Sequence, residues 1–321
     1  MKQLALELAR ITEASAIASA EWIGRRNAEA ADAAAVDVMR QGFNNLDIDG
    51  TIVIGEGERD KAPMLFIGEK VGKGSDTIKV DIAVDPLEGT SSVAYGRPEA
   101  MCVMAVAQSG ELLAAPDVYM KKIAVGPKCR GVIDINASVK ENICAVADAL
   151  GKLPKNITVM VLDRERHLPL IEAIVATGAK VHTFSDGDVS ACMATCEPDS
   201  GIDLYLGIGG APEGVLAAAA LRCMGGEIQG QLCWINDDEK ERLDAAGYTD
   251  LDRVYRTRDL ASGDEIFFVA TAVTDGAALN GVRYLGNNRI STDTIVMRTS
   301  SGTIRRISAV HDLNKKDLST I

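Results

Sequence analysis

Val84-Asp85-Pro86-Leu87-Glu88-Gly89-Thr90-Ser91-Ser92 closes a β-branched run that begins at Val80. A strand is expected over Val80 to Val84, cut by Asp85-Pro86. Proline turns the chain after Asp85, so that both carboxylates face one point, as a hard cation with oxygen ligands requires. Gly89 permits close backbone approach, and the amides of Thr90 to Ser92, if they open a helix, would receive a phosphate. The plain alternative is an ordinary Asp-Pro turn followed by a helix cap. Two carboxylates, a glycine and three hydroxyls behind one strand are more than such a turn needs.

Upstream, Thr51 to Ile54 is a second β-branched run, cut by Gly55-Glu56-Gly57-Glu58. Alone this reads equally as a solvated acidic turn. Together with Asp32, Asp85 and Glu88, Glu56 completes an all-oxygen set suited to Mg²⁺ or Mn²⁺. Zinc is disfavoured, because His167, His182 and His311 are the only histidines and share no ligand spacing. No Gly-x-Ser-x-Gly elbow and no P-loop occurs.

Further out, Leu4, Leu8, Ile11 and Trp22 share a helical face, and Val36, Met39 and Phe43 mark a second helix beginning near Ala30. Met101 to Ala107 and Glu111 to Ala114 flank Ser109-Gly110, which predicts a hairpin and a mixed sheet in the first half. From Ile157 onward strand and helix alternate through Leu168 to Thr177, Lys180 to Phe184, Ile202 to Leu206 and Pro212 to Met224. That half should carry a more parallel sheet. The charged stretch Asn236 to Arg258 reads as a surface excursion. The whole is an α/β chain, expected to be one catalytic domain of two packed halves, 1–130 for metal and 131–321 for substrate.

In α/β units ligands gather beyond the carboxyl ends of strands. Asp163-Arg164-Glu165-Arg166-His167 places two guanidiniums there, receptors for a second, non-reacting phosphate or simply surface charge. Asp186-Gly187-Asp188 offers acceptors to sugar hydroxyls or is a plain Asp-Gly turn. Gly207-Ile208-Gly209-Gly210-Ala211-Pro212-Glu213-Gly214 reads as strand, glycine turn and helix start, with Glu213 in the first turn able to reach a metal or sugar. Pro212 and Glu213 interrupt any dinucleotide fingerprint.

The formal charge of -12 argues against nucleic acid as a partner, although bound cations can invert the field locally for an anionic metabolite. No apolar run is long enough to span a bilayer, and Glu7, Arg10 and Glu13 break any signal-peptide centre, so a cytoplasmic location is expected. The seven cysteines are odd in number and lack Cys-x-x-Cys spacing, as buried reduced thiols would.

These segments together resemble the class II fructose-1,6-bisphosphatases of the lithium-sensitive, metal-dependent phosphatase superfamily, which also holds inositol monophosphatases. The resemblance runs over nearly the whole chain, through Ile52 to Glu58, Ala62 to Leu65, Val80 to Pro86, Ala115-Pro116-Asp117, Tyr119-Met120, Ser185 to Val189 and Gly209 to Val215. It implies a layered α/β/α/β/α sugar-phosphatase fold and Mn²⁺ or Mg²⁺ held by Asp32, Glu56, Asp85, Glu88 and Glu213. It further implies substrate contacts at Glu88, Gly89, Thr90, Tyr119, Arg164, Glu165, Arg166, Asp186, Gly187, Asp188 and Gly210.

In the reaction so implied, water attacks the 1-phosphate directly, oriented by Thr90 and polarised by Asp60. A dimer or tetramer is also implied. Val93 to Gly96 and Tyr119 to Lys122 look like the photosynthetic members that also take sedoheptulose 1,7-bisphosphate. Ala28 stands where the family commonly carries a lysine, four residues before Asp32. Two other readings stay open: the same chemistry on an inositol or nucleotide phosphate, and a sugar-phosphate sensor without turnover.

Overall fold

The structure, a computed structural model, describes residues 4–56, 64–74 and 78–315. In chain order it runs α1 (Leu4–Ala20), α2 (Ala28–Asn44), β1 (Asp49–Ile54), β2 (Lys70–Val71), β3 (Lys79–Glu88), α3 (Thr90–Tyr95), β4 (Met101–Gln108), β5 (Tyr119–Val125), α4 (Val139–Leu150), β6 (Thr158–Leu162), α5 (Leu168–Ala176) and β7 (Lys180–Phe184). There follow α6 (Asp188–Ala194), β8 (Leu204–Gly210), α7 (Ala211–Met224), β9 (Glu227–Cys233), α8 (Asp237–Ala245), β10 (Tyr255–Arg256), α9 (Thr257–Leu260), β11 (Phe267–Ala272), β12 (Arg283–Gly286), β13 (Arg289–Arg298) and β14 (Thr303–Asp312). The chain divides into two compact units, Met1–Leu112 with Gly263–Ile321, and Leu113–Ser262. Both are mixed α/β.

The first unit holds an eight-stranded sheet in the order β12-β13-β11-β4-β3-β1-β2, with β14 on the free side of β13. Among its described strands, β1 and β3 are the one parallel pair. Leu8, Ile11 and Ile17 of α1 and Met39 and Phe43 of α2 close on Ile52, Ile82, Met104, Val106 and Val269 of the sheet. Each such side chain contributes about 1.5–3 kcal/mol by leaving water. α2 begins at Ala28, earlier than the apolar periodicity suggests, because Asn27 caps it by accepting from the Ala30 amide at 3.0 Å.

Two expectations for this unit are corrected. Met101 to Ala107 forms no hairpin with Glu111 to Ala114, because β4 is buried along both faces and its two edges are taken by β3 and β11. Ser109 and Gly110 still turn the chain, and both donate to the Asp81 carboxylate. Nor is the strand cut at Asp85-Pro86: β3 continues to Glu88 through a register shift between Asp85 and Glu88. Proline is tolerated there because a bulge frees it from donating to the ladder.

The second unit holds a six-stranded sheet, β10-β9-β5-β8-β6-β7. β6 pairs parallel with both β7 and β8, while β5 runs antiparallel to β8 and β9. This sheet is therefore the more parallel of the two. Ile143 and Val146 of α4 and Ile174 of α5 pack with Ile123, Val159, Val161 and Leu204. β8 extends through Gly210 and α7 starts at the next residue, so the expected glycine turn is strand. No helix among the described residues is long and apolar enough to cross a membrane.

Candidate active site

In the first unit the acidic segments are set by close backbone packing. A Cβ on Gly55 would fall 2.0 Å from the Leu65 carbonyl oxygen, which only glycine avoids. Glu56, next in sequence, donates its amide to that oxygen at 2.9 Å. Leu65 has a left-handed φ of 55°, and its amide donates to Glu69, which also takes the Arg40 guanidinium. Arg40 is on α2, as is half-buried Asp32, so Glu69 ties the Glu56 loop to the helix carrying Asp32.

Asp85 and Glu88 pair with Val103 and Met101 of β4. The extra residue of the bulge places them on one face of β3, whereas residues three apart on a regular strand face opposite ways. Glu88 is buried, and Asp85 accepts from the Leu87 amide at 3.1 Å. Burial, then the charges of Asp85 and Asp32, push the Cys102 thiol well up, which places both carboxylates within electrostatic reach of that side chain. Gly89 has φ 89° and lies against Ala100, and α3 opens at Thr90 as expected.

In the second unit the end of β6 leads into Arg164, Glu165 and Arg166. Arg166 donates Nε and Nη2 to the Ile208 carbonyl at 3.0 and 2.7 Å and lies 4.9 Å over the Tyr119 ring. Arg164 donates to the carbonyls of Asp163 and Ser185 and sits 3.8 Å from Asp186. Burial raises the Asp186 carboxyl, Arg164 opposes this, and Asp188 adds to it. Gly187 has φ 101° and starts α6, whose first residue is buried Asp188.

Beside Arg166, buried His167 joins the end of β6 to β8. Its Nδ1 donates to the Leu162 carbonyl at 2.7 Å and its Nε2 accepts from the Ile208 amide at 2.8 Å. That pair of roles fixes the neutral ring. Burial is the largest cause of its lowered pKa.

At the end of β8, carboxylates press on the backbone. A Cβ on Gly209 would lie 1.7 Å from Asp188 Oδ2, and one on Gly210 would lie 1.9 Å from Glu213 Oε2. Glu213 Oε2 is buried with no hydrogen-bond partner among the described residues. Burial raises the Glu213 carboxyl, against the pull of Lys122. Lys122, from β5, is fully buried and donates to Asp188 and to the Gly210 carbonyl.

Two comparisons bear on these sites. The model of a protein family described as bacterial fructose-1,6-bisphosphatase, glpX-encoded, matches residues 2–311. Fructose-1,6-bisphosphatase 1 class 2 of Escherichia coli (strain K12) is 44% identical over an alignment covering 98% of this chain and 97% of its own. Fructose-1,6-bisphosphatase class 2 of Shigella flexneri matches with the same identity and coverage. The chain belongs to the class II bacterial fructose-1,6-bisphosphatases.

Within this bisphosphatase the anticipated residues fall into two groups. Asp32, Glu56, Asp85, Glu88, Gly89 and Thr90 lie in the first unit; Tyr119, Arg164, Glu165, Arg166, Asp186, Gly187, Asp188, Gly210 and Glu213 lie in the second. Asp60 lies outside the described residues, as do Gly57 and Glu58. Among the described residues no three His, Cys, Asp or Glu side chains form a group that could hold a metal ion. The donors are nonetheless all carboxylates, and the buried Oε2 of Glu213 has no hydrogen-bond partner among the described residues, which fits a hard divalent cation. Sequence reasoning missed Lys122 and Glu69. For Lys122 the available signal was strand alternation: Lys121 is exposed on β5, so Lys122 points the other way.

Proposed function

We propose that the protein hydrolyses fructose 1,6-bisphosphate at the 1-phosphate, giving fructose 6-phosphate and inorganic phosphate, as a cytoplasmic enzyme of gluconeogenesis. The observation that carries this reading is the full-length likeness to class II fructose-1,6-bisphosphatases. The activity needs a divalent cation, which we take to be Mg²⁺ or Mn²⁺ because the donors are carboxylate oxygens. Asp32, Glu56, Asp85 and Glu88 would bind cation in the first unit and Glu213 in the second. Bound cations supply positive charge to the phosphoryl oxygens and acidify the attacking water.

The chain's own groups do the rest. Backbone amides at Gly89 and Thr90 receive the reacting phosphate, and the Thr90 hydroxyl orients the water, with Asp60 polarising it. Arg164 and Arg166, braced on carbonyls and on the Tyr119 ring, keep part of their guanidinium donors for the distal phosphate. Binding energy far from the reacting ester then positions it. Glu165, Asp186, Gly187, Asp188 and Gly210 receive the sugar. Sedoheptulose 1,7-bisphosphate is proposed as a second substrate and a dimer or tetramer as the assembly.

The test is a substrate comparison with Mn²⁺ present. Fructose 1,6-bisphosphate should be cleaved at least about 100-fold faster, per kcat/KM, than an inositol monophosphate or a nucleoside monophosphate, since neither gives the arginine pair a second phosphate to hold. Comparable rates on a monophosphate would move the protein to the inositol-phosphatase reading.

A further inference from the structure

A lysine is among the residues least often fully buried, and its charge is costly inside a protein unless paired and hydrogen-bonded. The Lys122 side chain is 0% exposed. Its stem runs past Gly214 of α7, where a Cβ would stand 3.5 Å from Lys122 Cδ. At its tip Nζ donates to Asp188 Oδ2 at 2.5 Å and to the Gly210 carbonyl at 2.7 Å. The other Asp188 oxygen, Oδ1, accepts from the buried Tyr205 hydroxyl at 2.8 Å. Both carboxylate oxygens are thus held, one by a β5 cation and one by a β8 phenol.

Asp188 is the first residue of α6, and Gly210 is the last residue of β8 before α7. One ammonium therefore fastens the starts of two helices to the central strand β5. Those starts carry Asp186-Gly187-Asp188 and Gly210, the segments read above as receiving the sugar. Glu213 is not among the hydrogen-bond acceptors of Nζ, and its Oε2 stays without a hydrogen-bond partner among the described residues. These hydrogen bonds of Nζ thus go to the sugar side, while its charge also reaches Glu213.

We propose that Lys122 is a positioning residue for substrate: through Asp188 and the Gly210 carbonyl it fixes the sugar-binding ends of α6 and β8. This rests on the functional reading above. A buried ion pair can also be purely structural, and then its replacement changes stability without touching affinity. The two roles separate in the kinetics of variants that fold.

The experiment measures kcat and KM for fructose 1,6-bisphosphate, with Mn²⁺, on Lys122→Met, Lys122→Gln and Tyr205→Phe, each checked for native circular dichroism. Displacement of a binding group by about 1 Å should raise KM about 10- to 100-fold in Lys122→Met, with kcat falling several-fold less. Lys122→Gln, which keeps an uncharged donor one bond shorter, should lie between it and the parent. Tyr205→Phe, which frees Asp188 Oδ1 and leaves Oδ2 on Lys122, should raise KM by less than Lys122→Met does. If Lys122→Met does not fold, the glutamine and phenylalanine variants carry the test. Parental KM in folded Lys122→Gln and Tyr205→Phe, or in folded Lys122→Met, overturns the proposal. A parent protein without bisphosphatase activity would instead overturn the functional reading.

Discussion

Asp85 and Glu88 lie opposite Val103 and Met101, so three steps along β3 correspond to two along β4. The added residue at Pro86-Leu87 turns a spacing that would separate the two carboxylates into one that aligns them. The bulge thus makes Asp85-Pro86-Leu87-Glu88 a two-carboxylate unit, and the missing amide hydrogen of proline costs nothing where the ladder is already broken.

Glu88→Gln keeps the shape of this unit and removes one charge. Phosphate release from fructose 1,6-bisphosphate should fall by about 100-fold or more, the scale for losing one group that stabilises transition-state charge. The thermal midpoint should stay within a few degrees, about 1 kcal/mol for a chain of this size. Unchanged turnover would remove Glu88 from the site.

Gly209→Ala and Gly210→Ala place a methyl where Asp188 Oδ2 and Glu213 Oε2 now sit. Each carboxylate must move or the strand must shift, at about 1–3 kcal/mol of stability. Gly209→Ala should chiefly raise KM, by displacing Asp188, and Gly210→Ala should chiefly weaken stabilisation of the protein by Mn²⁺, by displacing Glu213. Thermal unfolding with and without the cation, beside steady-state kinetics, checks both. Parental values in both variants would mean that the close packing of glycine and carboxylate has no functional part.

The strands and helices were legible where period and chemistry agree. Lys180 to Phe184 and the helix ending at Met224 follow from apolar pattern and flanking glycine. The bulge was not, because Asp-Pro is a turn signal and only the buried register with β4 shows that the ladder resumes at Glu88. Gly207 to Gly210 misled similarly: glycine usually breaks a strand, but here it clears space for two carboxylates beside a strand that continues. The partner of Met101 to Ala107 was also hidden, since β11 pairs with it from more than 150 residues away in sequence. Strand alternation could have turned Lys122 inward, but its acceptors, Asp188 and Gly210, were hidden because tertiary structure alone sets them.

Neutral His167 links pH to stability. Its native pKa is lowered, chiefly by burial, and its Nε2 must stay unprotonated to accept from the Ile208 amide. Below about 6.5 the unfolded chain takes up a proton that the native ring resists. Its contribution is therefore complete above that pH and is lost as pH falls toward the lowered native value. The thermal midpoint should drop between pH 7 and pH 5, and His167→Gln should flatten that slope while lowering the midpoint at pH 7. An unchanged slope in the variant would contradict this assignment.

Cation-dependent release of a single phosphate from fructose 1,6-bisphosphate is the central claim. The direct measurement incubates purified protein with that substrate and Mg²⁺ or Mn²⁺, with and without a chelator, and quantifies fructose 6-phosphate and inorganic phosphate together. One equivalent of each, abolished by chelation and restored by added cation, is the predicted result. Phosphate release that survives chelation, or no release with either cation, would contradict it.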